Sequence, residues 1–510
     1  ATGTNTTENH PVIGAKVKRA TKRGAKLIVI DPREIDLVKY ADIWLQQKPG
    51  TDVAVINGML NVIISEGLYA KDYVKDRTEG FDALKKVVEK YTPEKVEKIS
   101  GVPAEDLKKA ARMYAKADRA SILYAMGITQ HISGTDNVKS MANLSMLCGN
   151  VGIEGGGVNP LRGQNNVQGA CDMGGLPNVY PAYQQVANED VRKKFEGFWN
   201  AQLSPKPGLT IMEMMEAAGK GTIKAIYIMG ENPMLSDPDL QHVKKELKKL
   251  DLMIVQDLFL TETAELADVV LPVASFAEKD GTFSNTERRV QRVRKAVDAP
   301  GEAKTDWEVI CGISNKMGYA MNYASAKEIF EEVAKVTPSY AGISYERLEK
   351  GGIQWPCPTP EHQGTKFLHK DKFSRGLGLF TAIEYIEPNE LPDKQYPFLL
   401  STGRVLYHYH TGTMTTRAEG LNERYPESLV EINPADADKL KIEEGQKVKV
   451  TSRRGTVEAK ATITKKSAPG SIFMNFHFAD ASVNLLTNPA LDPIGKIPEY
   501  KVCAVKLEAA

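Results

Sequence analysis

The stretch Ala225-Ile226-Tyr227-Ile228-Met229-Gly230-Glu231-Asn232-Pro233 joins an apolar run to a polar loop that begins with glycine. A short apolar run bounded by a turn signal is typical of a strand buried in a parallel sheet. Pro233 suits the first turn of a helix, where the missing proline N–H costs nothing. A basic helix is predicted at 244–250, and a second strand at 252–255 that ends at Gln256-Asp257. The pattern therefore predicts a β–loop–α–β unit.

The same order of signals occurs at the start of the chain. Gly3-Thr4-Asn5 opens a polar loop, Pro11 starts a helix, and Gly24 ends it. Residues 27–30 then form an apolar run that ends at Asp31. The pattern of a nucleotide-binding unit thus occurs twice, which predicts two similar half-sites.

The spacing of the two copies supports this repeat. Gly3 lies 28 residues before Asp31, and Gly230 lies 27 residues before Asp257. In both copies another aspartate follows after 11 residues, at Asp42 and Asp268. Two similar half-sites indicate two similar ligands or one pseudo-symmetric ligand.

The start of the chain differs from the second copy in one respect. A full strand precedes Gly230, whereas only Ala1 and Thr2 precede Gly3. A phosphate-binding loop needs a strand ahead of it to hold it at the carboxyl edge of a sheet. We therefore expect that the natural chain is longer and begins before Ala1.

Length and composition limit the possible classes of protein. A chain of 510 residues exceeds the ~250–300 residues of a single core, so several domains are expected. The net charge of +1 does not favour a nucleic-acid or membrane-surface partner. No run reaches the ~20 apolar residues of a membrane span. The five cysteines form no C-x-x-C pair, which disfavours zinc and iron–sulfur sites and fits a reducing, cytoplasmic compartment.

Four regions are predicted: an incomplete first dinucleotide-binding domain at 1–164, a second at 165–350, a linker at 351–390 and a β-barrel at 391–510. Helices are expected after Pro93 and Pro103 and at 136–148, a strand at 121–126, and a structureless run at 152–175. Alternating apolar residues at 448–463, with a turn at Arg454-Gly455, predict a hairpin.

The loops at Gly3 and Gly230 are predicted to bind phosphate. Helix N-termini offer free N–H groups to anions. Asp31 and Asp257, each at the end of the following strand, are placed to accept ribose or base hydrogen bonds. Neither loop is a G-x-G-x-x-G motif or a P-loop, so ordinary NAD or ATP binding is disfavoured. The alternative is two tight turns that bind no nucleotide.

The run at 159–174 is rich in side-chain amides and glycines and has one arginine, Arg162. Amides donate and accept hydrogen bonds, and a guanidinium forks onto a carboxylate. The alternative is a long surface loop. At 278–289 a solvated hairpin is the simpler interpretation. His408-Tyr409-His410 would place two imidazoles on one face of a strand, too few for a metal site. Cys171 is interpreted as a structural thiol.

Several of these motifs resemble the molybdopterin oxidoreductase family. They include Gly3-to-Pro11, Asp31-Pro32-Arg33, Pro49-Gly50-Thr51-Asp52, Met126-Gly127-Ile128-Thr129-Gln130-His131, Gly230-Glu231-Asn232-Pro233 and Thr402-Gly403-Arg404. The run from Arg162 to Gly174 and Trp355-Pro356-Cys357-Pro358 look specifically like formate dehydrogenase catalytic subunits. The resemblance covers essentially the whole chain.

The resemblance implies an α/β fold with two pseudo-symmetric doubly wound parallel-sheet domains and a C-terminal six-stranded double-psi-like β-barrel. It also implies two molybdopterin guanine dinucleotides that hold one Mo or W ion. One guanosine arm would contact Asn5, Glu8, Asp31, Arg33, Pro49, Gly50 and Asp52. The other would contact Gly230, Asn232, Asp257, Thr261 and Thr263. Asn484, Tyr500 and Lys501 would reach a pterin. Further cofactor contacts are expected at Met126, Gly127, Gln130, Gly281, Asn285, Thr402, Arg404 and His408.

The implied reaction is HCOO⁻ → CO₂ + H⁺ + 2e⁻ or its reverse. Arg162 would orient formate, with Gln164 and Asn165 as supporting donors. The family's Cys or selenocysteine metal ligand and its 4Fe–4S cluster would lie before Ala1, so this chain alone is expected to be inactive and no metal ligand is assigned within it. Iron–sulfur subunits that lead to NAD, ferredoxin or a hydrogenase are the expected partners. The alternatives are a nitrate reductase-like enzyme and a non-catalytic scaffold of the pterin fold.

Overall fold

The computed structural model describes residues 1–510, which group into two compact units. The first unit comprises Ala1–Gly163, Leu235–Gln241 and Phe367–Ala510. The second comprises Gln164–Met234 and His242–Lys366. No helix is both long and apolar enough to span a bilayer.

The first unit opens with a parallel sheet. Ile28–Ile30 pairs with Ile43–Leu45, and Ser121–Tyr124 pairs with Gly157–Pro160. Thr2 bridges both Ile30 and Tyr124, so it occupies the strand position directly before Gly3 and joins the two pairs into one sheet. The predicted strands at 27–30 and 121–126 are confirmed as Ile28–Ile30 and Ser121–Tyr124, and the second is shorter than predicted because Met126 begins a helix. The loops that follow Thr2, Ile30 and Tyr124 therefore meet at one carboxyl edge.

The helix Asp52–Ser65 forms the centre of the first unit's core. Eleven of its residues are buried, as expected of a helix that is apolar on every side. Gly58 lets it approach its neighbours, because a Cβ there would stand 2.8 Å from Val96 and Leu107 side-chain atoms. The other α-helices of this region are Thr6–Asn9, Pro11–Lys22, Lys71–Arg77, Phe81–Val88, Pro93–Ser100, Ala104–Ala115, Met126–Thr129 and Gly134–Leu147, with a 3₁₀ helix at Asp36–Tyr40 and a strand pair of Thr78–Glu79 with Gly378–Leu379.

The carboxyl-terminal part of the first unit is a closed six-stranded barrel, as predicted. Its strands are, in barrel order, Phe398–Gly403, Ser471–Asn475, Leu429–Ile432, Thr456–Ile463, Lys447–Thr451 and Cys503–Ala509. Every second residue of Thr456–Ile463 points into the apolar core for most of its length, which is why alternation revealed this hairpin. Short helices lie at Glu419–Asn422, Pro434–Leu440 and Val483–Leu485.

The second unit contains a three-stranded parallel sheet with Leu252–Asp257 between Ala225–Met229 and Val269–Pro272. An antiparallel hairpin, Gly281–Ser284 with Arg289–Val293, is extended by Ile353–Gln354. Its α-helices are Val167–Asp172, Glu189–Trp199, Ile211–Gly219, Asp306–Lys316, Ala326–Val336 and Tyr345–Leu348; 3₁₀ helices lie at Pro181–Tyr183, Ala264–Leu266 and Phe276–Glu278, and a strand pair at Val179–Tyr180 and Gln184–Gln185. Pro233–Ser236 and Leu240–Leu247 each include residues of both units.

The two sheets show the predicted repeat at the level of single hydrogen bonds. Asp42 Oδ2 accepts the Leu27 N–H at 2.9 Å, and Asp268 Oδ2 accepts the Met253 N–H at 2.7 Å. Each aspartate anchors the strand that lies before it. The N–H groups of the two loop glycines also donate to equivalent carbonyls, Gly3 to Ile30 at 3.1 Å and Gly230 to Gln256 at 2.9 Å.

Three local predictions are wrong. The run at 152–175 contains Gly157–Pro160 and Val167–Asp172, because a strand paired on a sheet edge needs no apolar alternation. His408-Tyr409-His410 lies in a turn region rather than a strand, and His410 has a left-handed φ of 50°. The helix expected at 244–250 is Leu240–Leu247, since residues 248–251 turn into the next strand.

Candidate functional site

A large cavity opens at the carboxyl edge of the first unit's sheet, between the strand-end loops and the barrel. Twelve of the residues predicted to bind the cofactor line it: Asn5, Asp31, Arg33, Pro49, Gly50, Asp52, Met126, Gly127, Gln130, Thr402, Arg404 and Lys501. The cavity therefore brings together loops and barrel residues that are up to several hundred positions apart in sequence.

Two glycines allow the loops of this wall to pack closely. Gly3 has a left-handed φ of 54°, and a Cβ on it would stand 2.7 Å from the carbonyl carbon of Gly127. Gly50 also has a left-handed φ, 82°, and a Cβ there would clash with Pro388. Any L-residue is strained at such angles, so both loops need glycine.

Two cations face the cavity from the barrel side. Arg404 forms no ion pair or hydrogen bond within the described chain and lies over the Phe476 ring at 5.5 Å. Loss of water lowers its pKa. Lys501 donates from Nζ to the Thr402 carbonyl at 2.7 Å. Burial, helped by the charge of Arg404, lowers the pKa of Lys501 to about 7. An anion in the cavity would stabilise both charges.

Two carboxylates lie on the opposite, loop side. Burial raises the pKa of Asp31 to about 6 and that of Asp52 to about 7. Asp31 accepts the Arg33 N–H at 3.0 Å, and Asp52 accepts a Gln47 Nε2–H at 3.1 Å. Carboxylates accept hydrogen bonds well, so ribose hydroxyls or the N–H edge of a base could bind there.

Arg33 lines the cavity, but its guanidinium is already engaged. It donates to both oxygens of Glu431, from Nε at 2.7 Å and Nη2 at 2.5 Å, and lies 3.9 Å from the centre of the Phe473 ring. Both side chains are almost fully buried. This pair ties the first loop to the barrel, a role that the sequence analysis did not predict for Arg33.

The cavity wall carries several buried polar atoms without a hydrogen-bond partner. Unsatisfied buried polar atoms are costly, and a native protein has few of them. Five residues of this wall have one: Thr4, Asn9, His10, Gln47 and His131. Burial lowers the pKa of His131 to about 4, so its ring is neutral at physiological pH. The wall thus fits a polar ligand, and none of these five residues was among the predicted site residues.

The second predicted set forms a cluster within the second unit. Thr263 donates from Oγ1 to Asn232 Oδ1 at 2.6 Å and accepts the Met234 N–H at 3.1 Å. Thr261 Oγ1 accepts the Ala264 N–H at 3.1 Å. Asp257 accepts the Leu258 N–H at 2.6 Å. Like the first set, these side chains lie at the carboxyl ends of parallel strands, and Gly230 has the same left-handed conformation as Gly3.

Several other predicted contacts lie off the cavity wall. Asn484 donates to the backbone carbonyls of Leu235 and Ser236 at 2.8 and 3.2 Å. The Tyr500 hydroxyl also donates to the Ser236 carbonyl, at 2.9 Å. His408 is buried against Thr415 and Tyr425. The remaining members of this set are Glu8 on the first short helix, Gly281 at the start of the hairpin and Asn285 in its turn.

The predicted substrate residues belong to different units. Arg162 belongs to the first unit, whereas Gln164 and Asn165 belong to the second. The Arg162 carbonyl is 2.9 Å from His10 Nε2, so the loop is attached to the wall of the cavity. Within residues 1–510 no group of three or more His, Cys, Asp or Glu side chains is arranged to hold a metal ion.

Comparison with known families identifies the class of protein. The family model described as Molybdopterin oxidoreductase matches residues 1–316, and the one described as Molydopterin dinucleotide binding domain matches residues 398–504. The chain belongs to the molybdopterin oxidoreductase family, which confirms the resemblance. It therefore carries a molybdopterin dinucleotide-binding domain, whose matched range contains five of the six barrel strands and the first two residues of the sixth.

Individual relatives narrow the comparison. The chain is 58% identical over 510 residues to the F420-dependent formate dehydrogenase subunit alpha of Methanocaldococcus jannaschii, covering 99% of this chain and 75% of that protein. It is 43% identical to formate dehydrogenase H of Escherichia coli, covering 99% and 72%. It is 37% identical to the assimilatory nitrate reductase catalytic subunit of Bacillus subtilis, covering 99% and 73%.

A solved structure shows the same fold. Acetylene hydratase from Pelobacter acetylenicus superposes with a TM-score of 0.78 at 22% identity, over 100% of this chain and 77% of that one. This likeness supports the α/β fold with a terminal barrel and says nothing about the reaction.

Proposed function

We propose that this chain is the catalytic subunit of a formate dehydrogenase that binds a bis-molybdopterin guanine dinucleotide centre with Mo or W. The relatives with the highest identities cited above are named formate dehydrogenases, whereas the nitrate reductase relative is only 37% identical. Formate oxidation is therefore favoured over nitrate reduction. A purely structural subunit would have no use for unpaired cations around an intact cavity.

The observation that carries this proposal is the chemistry of the cavity. Arg404 has no acceptor for its guanidinium, and Lys501 has only the Thr402 carbonyl. Buried cations without a counter-ion are costly unless a ligand supplies the negative charge. A pyrophosphate-containing dinucleotide supplies that charge. On the loop side, Asp31 and Asp52 would accept hydrogen bonds from its nucleoside.

Two dinucleotides are supported by the repeat. The first copy would hold one arm through Asn5, Asp31 and Asp52, and the second would hold the other through Asn232, Thr261 and Thr263. Each set lies at the carboxyl ends of parallel strands, where such folds bind nucleotides. When bound, the metal–pterin group supplies the two-electron redox chemistry.

The substrate would be oriented by Arg162, whose guanidinium forks onto the formate carboxylate by charge-assisted hydrogen bonds. Gln164 and Asn165 would donate to the same oxygens. Formate offers no other group for recognition, so its C–H direction depends on this orientation. His10 holds the carbonyl of Arg162 and thereby fixes the backbone from which the guanidinium extends.

Electrons would pass from the metal centre to a 4Fe–4S cluster. From there they would reach iron–sulfur partner subunits that are linked to NAD, ferredoxin or a hydrogenase. This inference is supported by relatives that are named alpha subunits and therefore imply others. All five cysteines are free, which supports a reducing cytoplasmic location.

The test uses the native holoenzyme with an artificial electron acceptor. Formate should be oxidised, nitrate should not be reduced, and Mo or W should be present in stoichiometric amount. Arg162→Gln should lower kcat/KM for formate by about 100-fold, which is ~2.7 kcal/mol. The matched control, Arg119→Gln on the exposed surface, should leave it unchanged. Nitrate turnover, or a native protein without either metal, would reject the proposal.

A further inference from the structure

The second unit contains a fully buried carboxylate that the proposed mechanism does not use. Asp172 is 0% exposed and is the last residue of the helix Val167–Asp172. Only Asn166 separates this helix from the predicted substrate residues Gln164 and Asn165. Gln168 donates to Oδ1 at 2.8 Å and Tyr183 at 2.9 Å. Tyr340 donates to Oδ2 at 2.6 Å and Trp355 at 2.7 Å.

These four hydrogen bonds satisfy the carboxylate completely. Its two oxygens offer about four acceptor sites, and each oxygen receives two donors. The donors come from three separate segments of the second unit: the helix itself, the turn at Tyr183, and the region of Tyr340 and Trp355. Asp172 therefore joins three segments that share no strand or helix.

The opposite end of the same helix is held as well. Asn166, in a left-handed conformation with φ 62°, precedes the helix and accepts the Ser284 N–H on Oδ1 at 2.9 Å. Ser284 Oγ lies 3.1 Å from the Tyr340 hydroxyl. Because that hydroxyl donates to Asp172, Ser284 must donate to it. One continuous network thus links both ends of the helix.

We propose that Asp172 is a positioning residue that holds the helix Val167–Asp172 in place through Tyr340 and Ser284. By holding this helix, Asp172 fixes Gln164 and Asn165 toward formate. The part of this inference that concerns the substrate rests on the proposed function. Gln164 and Asn165 immediately precede Asn166, and the Gln164 carbonyl accepts the Val167 N–H at 3.4 Å. A six-residue helix is too short to be stable alone, so its position depends on such contacts.

A pair of tyrosines offers a matched test. Tyr340 and Tyr345 belong to the same apolar cluster and both pack on Phe330, at 6.3 and 5.6 Å between ring centres. Of these two tyrosines, only Tyr340 donates its hydroxyl to Asp172. Tyr340→Phe therefore breaks the network, whereas Tyr345→Phe removes a hydroxyl from the same core and leaves the network intact.

The first measurement does not depend on the substrate. Amide hydrogen exchange of the holoenzyme should be at least tenfold faster in the segment 164–172 for Asp172→Asn and for Tyr340→Phe. Tyr345→Phe should exchange like the wild type. If all three variants exchange this segment alike, Asp172 does not position it and the inference is overturned.

The second measurement is kinetic. Asp172→Asn should lower kcat/KM for formate at least tenfold while the KM of the artificial acceptor and the metal content stay unchanged, and Tyr340→Phe should give a smaller effect in the same direction. A variant with faster exchange but unchanged formate kinetics would overturn the link to the substrate. If the wild type does not oxidise formate, the proposed function fails, and the exchange result still decides whether Asp172 positions the loop.

Discussion

The guanidinium of Arg404 lies directly against the backbone of Gly163. A Cβ built on Gly163 would stand 3.0 Å from Nη2 and 3.3 Å from Cζ of that arginine. Gly163 is also the last residue of the first unit before the predicted substrate donors. Because residue 163 is glycine and has no side chain, the Arg404 guanidinium can occupy the space beside its backbone.

Gly163→Val should displace Arg404 from the cavity wall. The branched side chain needs the space that the guanidinium fills, so retention of the dinucleotide should fall, with about a tenfold loss of formate oxidation, or ~1.4 kcal/mol. Metal and guanine-nucleotide content per chain are the measurements. Gly312→Val is the control, because nothing lies within 4 Å of its Cβ position. Equal cofactor content and activity in wild type and Gly163→Val would contradict this role.

Arg404→Gln should separate ligand binding from stability. Removing a buried cation that has no partner relieves a desolvation cost, so the cofactor-free chain should be as stable as the wild type or more stable. Cofactor retention should nevertheless fall. Metal analysis and denaturant unfolding of chain from cells that cannot make the pterin would measure the two effects.

The matched control is Arg454→Gln. The Arg454 side chain is also mostly shielded from solvent, at 13% exposed, but it donates to both Glu390 oxygens, at 2.8 and 3.0 Å. Breaking that pair should cost about 2 kcal/mol of unfolding free energy, because Glu390 loses two charge-assisted hydrogen bonds and keeps those from Arg453 and the Ala504 N–H. If Arg404→Gln destabilised the cofactor-free chain as much, Arg404 would be a structural residue and the proposed anion site would be wrong.

The pKa of Asp52 predicts a pH dependence of the cofactor-free chain. Burial raises it from 3.8 to about 7, so between these pH values the folded state holds a proton that the unfolded state has lost. The free energy of unfolding should therefore fall as pH rises from about 4 to about 7 and then level off. Asp52→Asn should remove this contribution and stabilise the chain at pH 8 by at least ~1.4 kcal/mol, the equivalent of one pKa unit.

Urea unfolding of the wild type and Asp52→Asn at pH 5 and pH 8 would measure this. Asp42→Asn should change the free energy of unfolding in the opposite direction, because the Leu27 N–H and Lys26 lower the pKa of Asp42. Its stabilisation is present above pH 3.8, so this variant should be less stable than the wild type at both pH values. An Asp52→Asn stability gap of the same size at pH 5 and pH 8 would contradict the assignment.

The structural repeat predicts paired effects of Asp42→Asn and Asp268→Asn. Each carboxylate accepts one N–H from the strand before it, and loss of the charged acceptor should cost about 1 kcal/mol. Amide exchange at Leu27 and Met253 should accelerate in the matching variant only. Asp251→Asn, on the exposed surface, should change neither amide. Unaltered exchange in one of the two copies would mean that the repeated spacing has no common structural role.

Much of the fold could be predicted because its signals are local. The strands Ala225–Met229 and Leu252–Asp257 are apolar runs with clear ends, and the hairpin around Arg454 alternates strictly. Gly157–Pro160 was missed because its place is set by backbone pairing with Ser121–Tyr124 rather than by its own side chains.

Local patterns in the sequence predicted the loop side of the candidate site, whereas the barrel-side residues Thr402, Arg404 and Lys501 were expected only from the family resemblance. The loops carry repeated glycines and aspartates at constant spacing. Phe473 and Phe476 line the cavity only because the barrel closes. The partner of Arg33 is Glu431, 398 positions away, and no local pattern contains that information. His10, inside the first loop motif, and Gln47, just before the Pro49-Gly50 motif, were not singled out because a single polar residue has many ordinary roles.

The way the barrel closes has a consequence for how the enzyme matures. The closing strand Cys503–Ala509 pairs with both Phe398–Gly403 and Lys447–Thr451, and Lys501 lies two residues before it. A ribosome makes these residues after every other element described here. The wall that carries Lys501 and Arg404 is thus complete only once residue 509 has been synthesised and folded. A dinucleotide can therefore contact the complete wall only after the barrel has been translated and has closed.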